Sequence, residues 1–324
     1  MPLRSIAVLC VACLSYGVSP AAAADPQCTQ TAAVTPGFGS VTSFTAQSTA
    51  QPTSASSVAS CAGALLNVLV LLGDPPYLRA TVGSAHSYRL VNTNGSGDAL
   101  AYSIYAAPNG QYPFVPGVPF NYYQQTLLNL LGLLGGSGGS LPMYFVTTPG
   151  GNLSAGTYTD TFTVDWNWKI CNVGIAVCLG YTTGNGATTV TLSLTVTNAC
   201  QIASAPNISF GSAPAAGSFA PVTQNVGVLC TKGFASYTVG FDGGQHAAGG
   251  RRQMINGSDV LQYDLFKPST NDVWGLTGSD AVVNTVSANG TTAQTFAYRA
   301  QVYANQPTPP VGHYADSVVL NVSW

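Results

Sequence analysis

Between Ala187 and Ala199 the chain reads ATTVTLSLTVTNA, in which Val190, Leu192, Leu194 and Val196 alternate with threonine and serine. A period of two puts the apolar side chains on one face of an extended strand and the hydroxyls on the other. Shorter runs of the same kind lie between turn signals near residues 30–45, 54–61, 84–92, 99–106, 141–147 and 156–168. Seven strands spaced in this way predict an antiparallel, immunoglobulin-like β-sandwich.

The pattern then starts again. CTQTAAVTPGFGS from Cys28 and CQIASAPNISFGS from Cys200 both place Phe ten residues after Cys. A second cysteine follows, Cys61 or Cys230, and then LAYSIY (100–105) or LQYDLF (261–266). Each copy finishes on G-x-Y-x-D, with Trp twelve residues after the Gly: Gly156 to Trp168 and Gly312 to Trp324. Four landmarks in one order predict two tandem copies of one domain, all-β throughout. Copy two has counterparts for six strands and none for the seventh, so its sandwich is expected to lack the last strand. Four apolar side chains at about 1.5–3 kcal/mol each rival the whole stability of a domain, about 5–15 kcal/mol. Copy two is therefore expected to need a strand from another molecule, by β-strand complementation.

Composition agrees with this picture. Only 6% of residues are charged and the net charge is −2, which excludes the clustered Lys and Arg of a nucleic-acid binder. Arg4, the apolar stretch Ile6–Leu14 and the AAAA run predict an export signal over residues 1–24, cleaved near Ala24. Of eight cysteines, Cys10 and Cys13 fall in that signal and six remain. An even number in an exported chain favours disulfides. The repeat pairs them as Cys28–Cys61 and Cys200–Cys230, and leaves Cys171–Cys178 to close a small loop of copy one. A zinc site is the alternative, but the spacing lacks C-x-x-C and the first two pairs fall in separate copies.

Residues 200–324 resemble the spore coat protein U domain family through CQIASAPNISFGS, GGRRQM (249–254), LQYDLF, VWG (273–275) and GHYADSVVLNVSW. Copy one matches more loosely and lacks the RRQM element. Members look like secreted pilins of archaic, Csu-like chaperone–usher pili. The resemblance implies a periplasmic pilus chaperone that lends a strand, an adjacent pilin subunit that later donates one, and an outer-membrane usher. A signal cut near Ala24 leaves few residues before Cys28, whereas a donor strand needs roughly ten. Such a subunit accepts a strand without donating one, which implies a two-domain tip adhesin. Residues 25–199 would be the adhesive domain and 200–324 the pilin domain, carried to the cell surface at the pilus tip.

Three apolar stretches distinguish copy one and are the expected surface-binding loops. They carry Leu65, Leu66, Val68, Leu69, Val70, Leu71 and Leu72; then Leu127, Leu128, Leu130, Leu131, Leu133 and Leu134; then Val173, Ile175, Val177 and Leu179. Each is too short to span a bilayer. Their Gly and Asn-Val punctuation suits hairpins, and in an up-and-down sandwich all three emerge at the pole away from copy two. Clustered there, they would form an apolar patch for hydrophobic or host surfaces, promoting attachment and biofilm formation. Packing of these leucines into a core, or around a lipid or sugar pocket, is the alternative. A minor structural pilin or exported coat component without adhesive role, or a carbohydrate-binding tip, are the other functional classes. Tyr102, Tyr105, Tyr112, Tyr122 and Tyr123 could stack on sugars, although core and sheet packing accounts for them better.

Nothing in the chain assembles catalysis. His86, His246 and His313 lack metal-ligand spacing, and GGRRQM lacks the lysine of a phosphate loop. Asp160 and Asp316 recur in both copies, which points to a turn or hydrogen-bonding role in the fold and not to catalysis. No enzyme, cofactor or metal site is expected.

Overall fold

The computed structural model describes residues 27–62, 75–131, 138–172, 177–268 and 270–324. It is almost entirely β, in two sandwiches. The signal at residues 1–24 lies outside the described residues.

The first sandwich contains β1 (Gln27–Gln30), β2 (Ala33–Val34), β3 (Gly37–Thr42), α1 (Ser43–Ser48), β4 (Pro52–Ala62), β5 (Tyr77–Val82) and β6 (Arg89–Asn92). It continues with β7 (Ala99–Tyr105), β8 (Phe120–Asn121), α2 (Gln125–Leu130), β9 (Gly138–Thr147), β10 (Gly156–Cys171) and β11 (Tyr181–Thr197). The order β1-β4-β9-β7 makes one face, and β6-β10-β11 the other, with β5 beside β10 and β8 beside β5. The period-two reading holds over Gly156–Trp168 of β10 and Ala187–Thr197 of β11. The two strands pair antiparallel from Gly156 opposite Val196 to Cys171 opposite Tyr181, and Val190, Leu192, Leu194 and Val196 are all buried in the core between the faces.

Three local features depart from the sequence reading. The expected strand near 30–45 breaks, because the Thr42 hydroxyl accepts from the Thr45 amide and caps α1. β2 and β3 pair parallel to β11, so the sandwich is not purely antiparallel. The second apolar stretch forms the short helix α2 where hairpin geometry was expected, because Leu127 and Leu128 bury in the core.

The second sandwich contains β12 (Cys200–Ser204), β13 (Val222–Cys230), β14 (Tyr237–Phe241), β15 (Arg252–Asn256) and β16 (Asp259–Phe266). β17 (Val282–Asn284), β18 (Gln294–Val302) and β19 (Leu320–Ser323) complete it. One sheet has the order β12-β13-β18-β16-β15 and the other β17-β14-β19. Its core is separate and includes Val226, Val239, Leu265, Trp274 and Tyr298. Disulfides join Cys28 to Cys61 and Cys200 to Cys230 at directly opposed positions of β1/β4 and β12/β13. A third joins Cys171 to Cys178.

The halves touch through polar groups. Ser43 and Thr231 share a buried hydroxyl–hydroxyl hydrogen bond of 2.7 Å, and the Ala199 amide donates to Thr231 Oγ1. Asn152 Nδ2 donates to the Asn289 carbonyl, and Lys232 forms an ion pair with Asp98. Burial pushes the Asp98 carboxyl up, but hydrogen bonds from Lys232 and Ser154 outweigh this and hold it below its ordinary value.

Candidate functional site

The G-x-Y-x-D element builds the same local structure twice. Tyr158 donates its hydroxyl to the Ser154 carbonyl, and Tyr314 likewise to Pro310. Asp160 accepts from Tyr102 and lies 2.9 Å from His86 Nδ1; Asp316 accepts from Tyr263 and lies 3.1 Å from His246 Nδ1. Burial first, and then these carboxylates, push the phenols of Tyr102 and Tyr263 well above the ordinary tyrosine value. Both histidines and both aspartates are thus used in holding the fold. Arg252 of GGRRQM is also spent internally, on Asp264 and on the carbonyls of Phe241, Asp242 and Trp274. Among the described residues no three His, Cys, Asp or Glu side chains converge as for a metal.

Beyond that element the copies diverge. In β10 the inward side chains Tyr158, Phe162, Val164, Trp166 and Trp168 are all buried. Their counterparts Tyr314, Val318, Leu320 and Val322 are only half-buried, and Trp324 is 62% exposed where Trp168 is 8% exposed. The cause lies beside them. β11 covers the full length of β10, whereas β19 pairs with β14 alone among the described residues. Upstream the same contrast appears. Phe38 in β3 is buried alongside β11, while its counterpart Phe210 is half-buried and residues 205–214 form no ladder. The second sandwich thus presents an unpaired strand edge above a half-open apolar seam, the combination that invites another strand.

The strand register also fixes where the three apolar stretches of copy one leave the sandwich. Ala62 ending β4 opposes Gly138 starting β9, and Tyr77 starting β5 opposes Lys169. Asn121 ending β8 opposes Arg79, and Cys171 opposes Tyr181 across the third stretch. Antiparallel pairs run without a break from β9 through β7 and β6 to β10, so these ends face one way. The opposite ends, around Ala99, Thr147 and Gly156, carry the contacts to the second half.

The expected binding residues fare differently within those stretches. Leu65, Leu66, Val68, Leu69, Val70, Leu71, Leu72, Leu133, Leu134, Val173 and Ile175 lie outside the described residues. Leu127 and Leu128 are corrected from surface to core, since one face of α2 packs inward; Leu131 is partly buried against the same core. Leu130 is 50% exposed, Val177 49% and Leu179 79%. Cys178, disulfide-bonded to Cys171 at the end of β10, sits between the last two. Tyr102 and Tyr122 are buried and unavailable for stacking on a sugar. The sequence reading passed over Val115 and Val118, exposed on a turn anchored by Gly117 N–H donating to the Val82 carbonyl. The signal was available in PFVPGVPF, whose prolines keep valines out of a sheet interior.

Two sandwiches of one plan, each stapled between its first two paired strands and joined through polar contacts, define a tandem-repeat β-sandwich subunit. The chain belongs to the Spore Coat Protein U domain family, whose model matches residues 14–165 and 186–321. Among solved structures it is similar to a chain of the CsuC–CsuE chaperone–tip adhesion subunit pre-assembly complex from the archaic chaperone–usher Csu pili of Acinetobacter baumannii. The identity is 26% and the TM-score 0.65, over 92% of this chain and 100% of that one. A far weaker likeness, with 12% identity and a TM-score of 0.33 over 90% of this chain and 91% of the other, links it to CfaE. CfaE is the adhesive subunit of the CFA/I fimbria of enterotoxigenic Escherichia coli, and at that distance the match carries no argument. No curated protein sequence matches. The chain is thus related to chaperone–usher pilus subunits and tip adhesins, and is not an enzyme.

Proposed function

We propose that this chain is the tip adhesin subunit of a chaperone–usher pilus. Residues 200–324 act as a pilin domain that accepts a strand, first from a periplasmic chaperone and then from the adjacent subunit at the outer-membrane usher. Residues 25–199 form a self-complete sandwich whose far pole binds hydrophobic or host surfaces and promotes biofilm formation. The observation that carries this reading is the contrast between β10, covered throughout by β11, and β19, whose outer edge is unpaired among the described residues. Leu130, Val177 and Leu179, exposed in two stretches that leave the sandwich away from the second half, support the adhesive role. The similarity to a structure whose title names a tip adhesion subunit, over that chain's whole length, supports the position in the fibre.

The test is to extend the full chain after Trp324 with a short turn and a second copy of residues 184–197. A filled edge raises the thermal midpoint of the second sandwich and abolishes co-purification with a pilus chaperone. An unchanged midpoint overturns the reading.

A further inference from the structure

Among the described residues β11 is the strand that lies where an incoming strand would lie, and it contains two glycines whose backbone does not require them. Gly184 stands directly opposite Trp168, and a Cβ on it would come within 2.4 Å of the Trp168 ring. Gly186, two residues on, would bring a Cβ within 2.3 Å of the Gln30 side chain. Neither glycine has a positive φ. Gly184 is there for space: glycine inside a strand marks the close approach of another group, here the buried Trp168 indole lying across the strand, whereas the exposed Gln30 side chain beside Gly186 can swing aside. Further along, β11 fills the core with Val190, Leu192, Leu194 and Val196.

The second sandwich keeps the indole but leaves it uncovered. Trp324 takes the place of Trp168 and is exposed. We propose that the strand completing residues 200–324 runs antiparallel to β19 and carries glycine at the position facing Trp324. Apolar side chains follow at the alternate positions facing Val318, Asp316, Tyr314 and Gly312. This rests on the acceptor-edge reading above and adds to it a partner sequence, small at the start and alternately apolar afterwards. Trp324 then acts as a gate that closes over a strand with no side chain at that point and is held open by any other.

Two versions of the full chain test this, both extended after Trp324 by a short turn and the sequence of residues 184–197. In one the first glycine is kept; in the other it is leucine. Trp166, Trp168 and Trp274 are buried, so collisional quenching of tryptophan fluorescence reports on Trp324. The glycine version should raise the thermal midpoint and cut the quenchable fraction several-fold. The leucine version should leave Trp324 quenchable and gain less, and the difference should vanish in a Trp324→Ala background. Equal protection and stability in both versions, or a quenchable Trp324 in the glycine version, overturns the glycine requirement while the acceptor edge stands. No change in midpoint with either extension removes the acceptor edge and the glycine requirement with it.

Discussion

The hydroxyl of Tyr263 donates to the carboxylate of Asp316 at 2.9 Å, and the pair recurs in the first sandwich as Tyr102 and Asp160 at 2.7 Å. Each aspartate side chain is almost fully buried and also meets a histidine. Tyr263→Phe leaves a buried carboxylate short of a donor, a loss of about 1–3 kcal/mol. Urea midpoints should fall for the second sandwich alone, and Tyr102→Phe should act on the first.

Asp98 and Lys232 tie the halves together, and the pairing is pH-dependent. The folded Asp98 carboxyl lies below its ordinary value of 3.8, so its contribution is present above that value and lost as pH falls through the lower, folded one. Lys232 is 40% exposed on its side chain, which limits the pair to within about 1 kcal/mol. Lys232→Ala should leave each sandwich folded at neutral pH while increasing proteolysis near Ala199. Asp98→Asn should match it, and acid should abolish the difference from the parent.

Attachment and stability should separate at the far pole. Val177→Ser and Leu179→Ser alter exposed side chains, and surface changes of this kind fall within about 0.5 kcal/mol. Binding to hydrophobic beads or plastic should drop several-fold with the thermal midpoint unchanged. Leu128→Ala removes a core side chain at about 2–5 kcal/mol, so lost attachment there would report unfolding. Retained attachment in the Val177/Leu179 double variant would leave a structural pilin as the better reading.

The disulfides should rank by the loop they close. Cys28–Cys61 and Cys200–Cys230 span 33 and 30 residues, and Cys171–Cys178 spans 7. Loop-closure entropy assigns about 4 kcal/mol to each long loop and about 2 kcal/mol to the short one. Calorimetry on paired Cys→Ala variants should give that order, with the short loop affecting attachment more than folding.

Much of the candidate site was legible because it repeats. Two copies expose what differs between them: β11 beside β10, and no counterpart beside β19 among the described residues. The apolar stretches were less legible. Leu127, Leu128 and Leu130 are indistinguishable as a sequence, yet a single turn of helix sends the first two inward and the third outward. Val115 and Val118 were missed because isolated valines between prolines carry no periodicity.

The sequence by itself determined the all-β class, the tandem repeat, the cysteine partners and the structural role of the two G-x-Y-x-D aspartates, since all of these follow from local alternation or from comparing one copy with the other. Only the tertiary structure decided which leucines are core, that β2 and β3 run parallel to β11, and that Gly184 exists to make room for Trp168. Those depend on which surfaces meet across the sandwich. A strand's partners, unlike its period, are set by distant segments competing for the same edge.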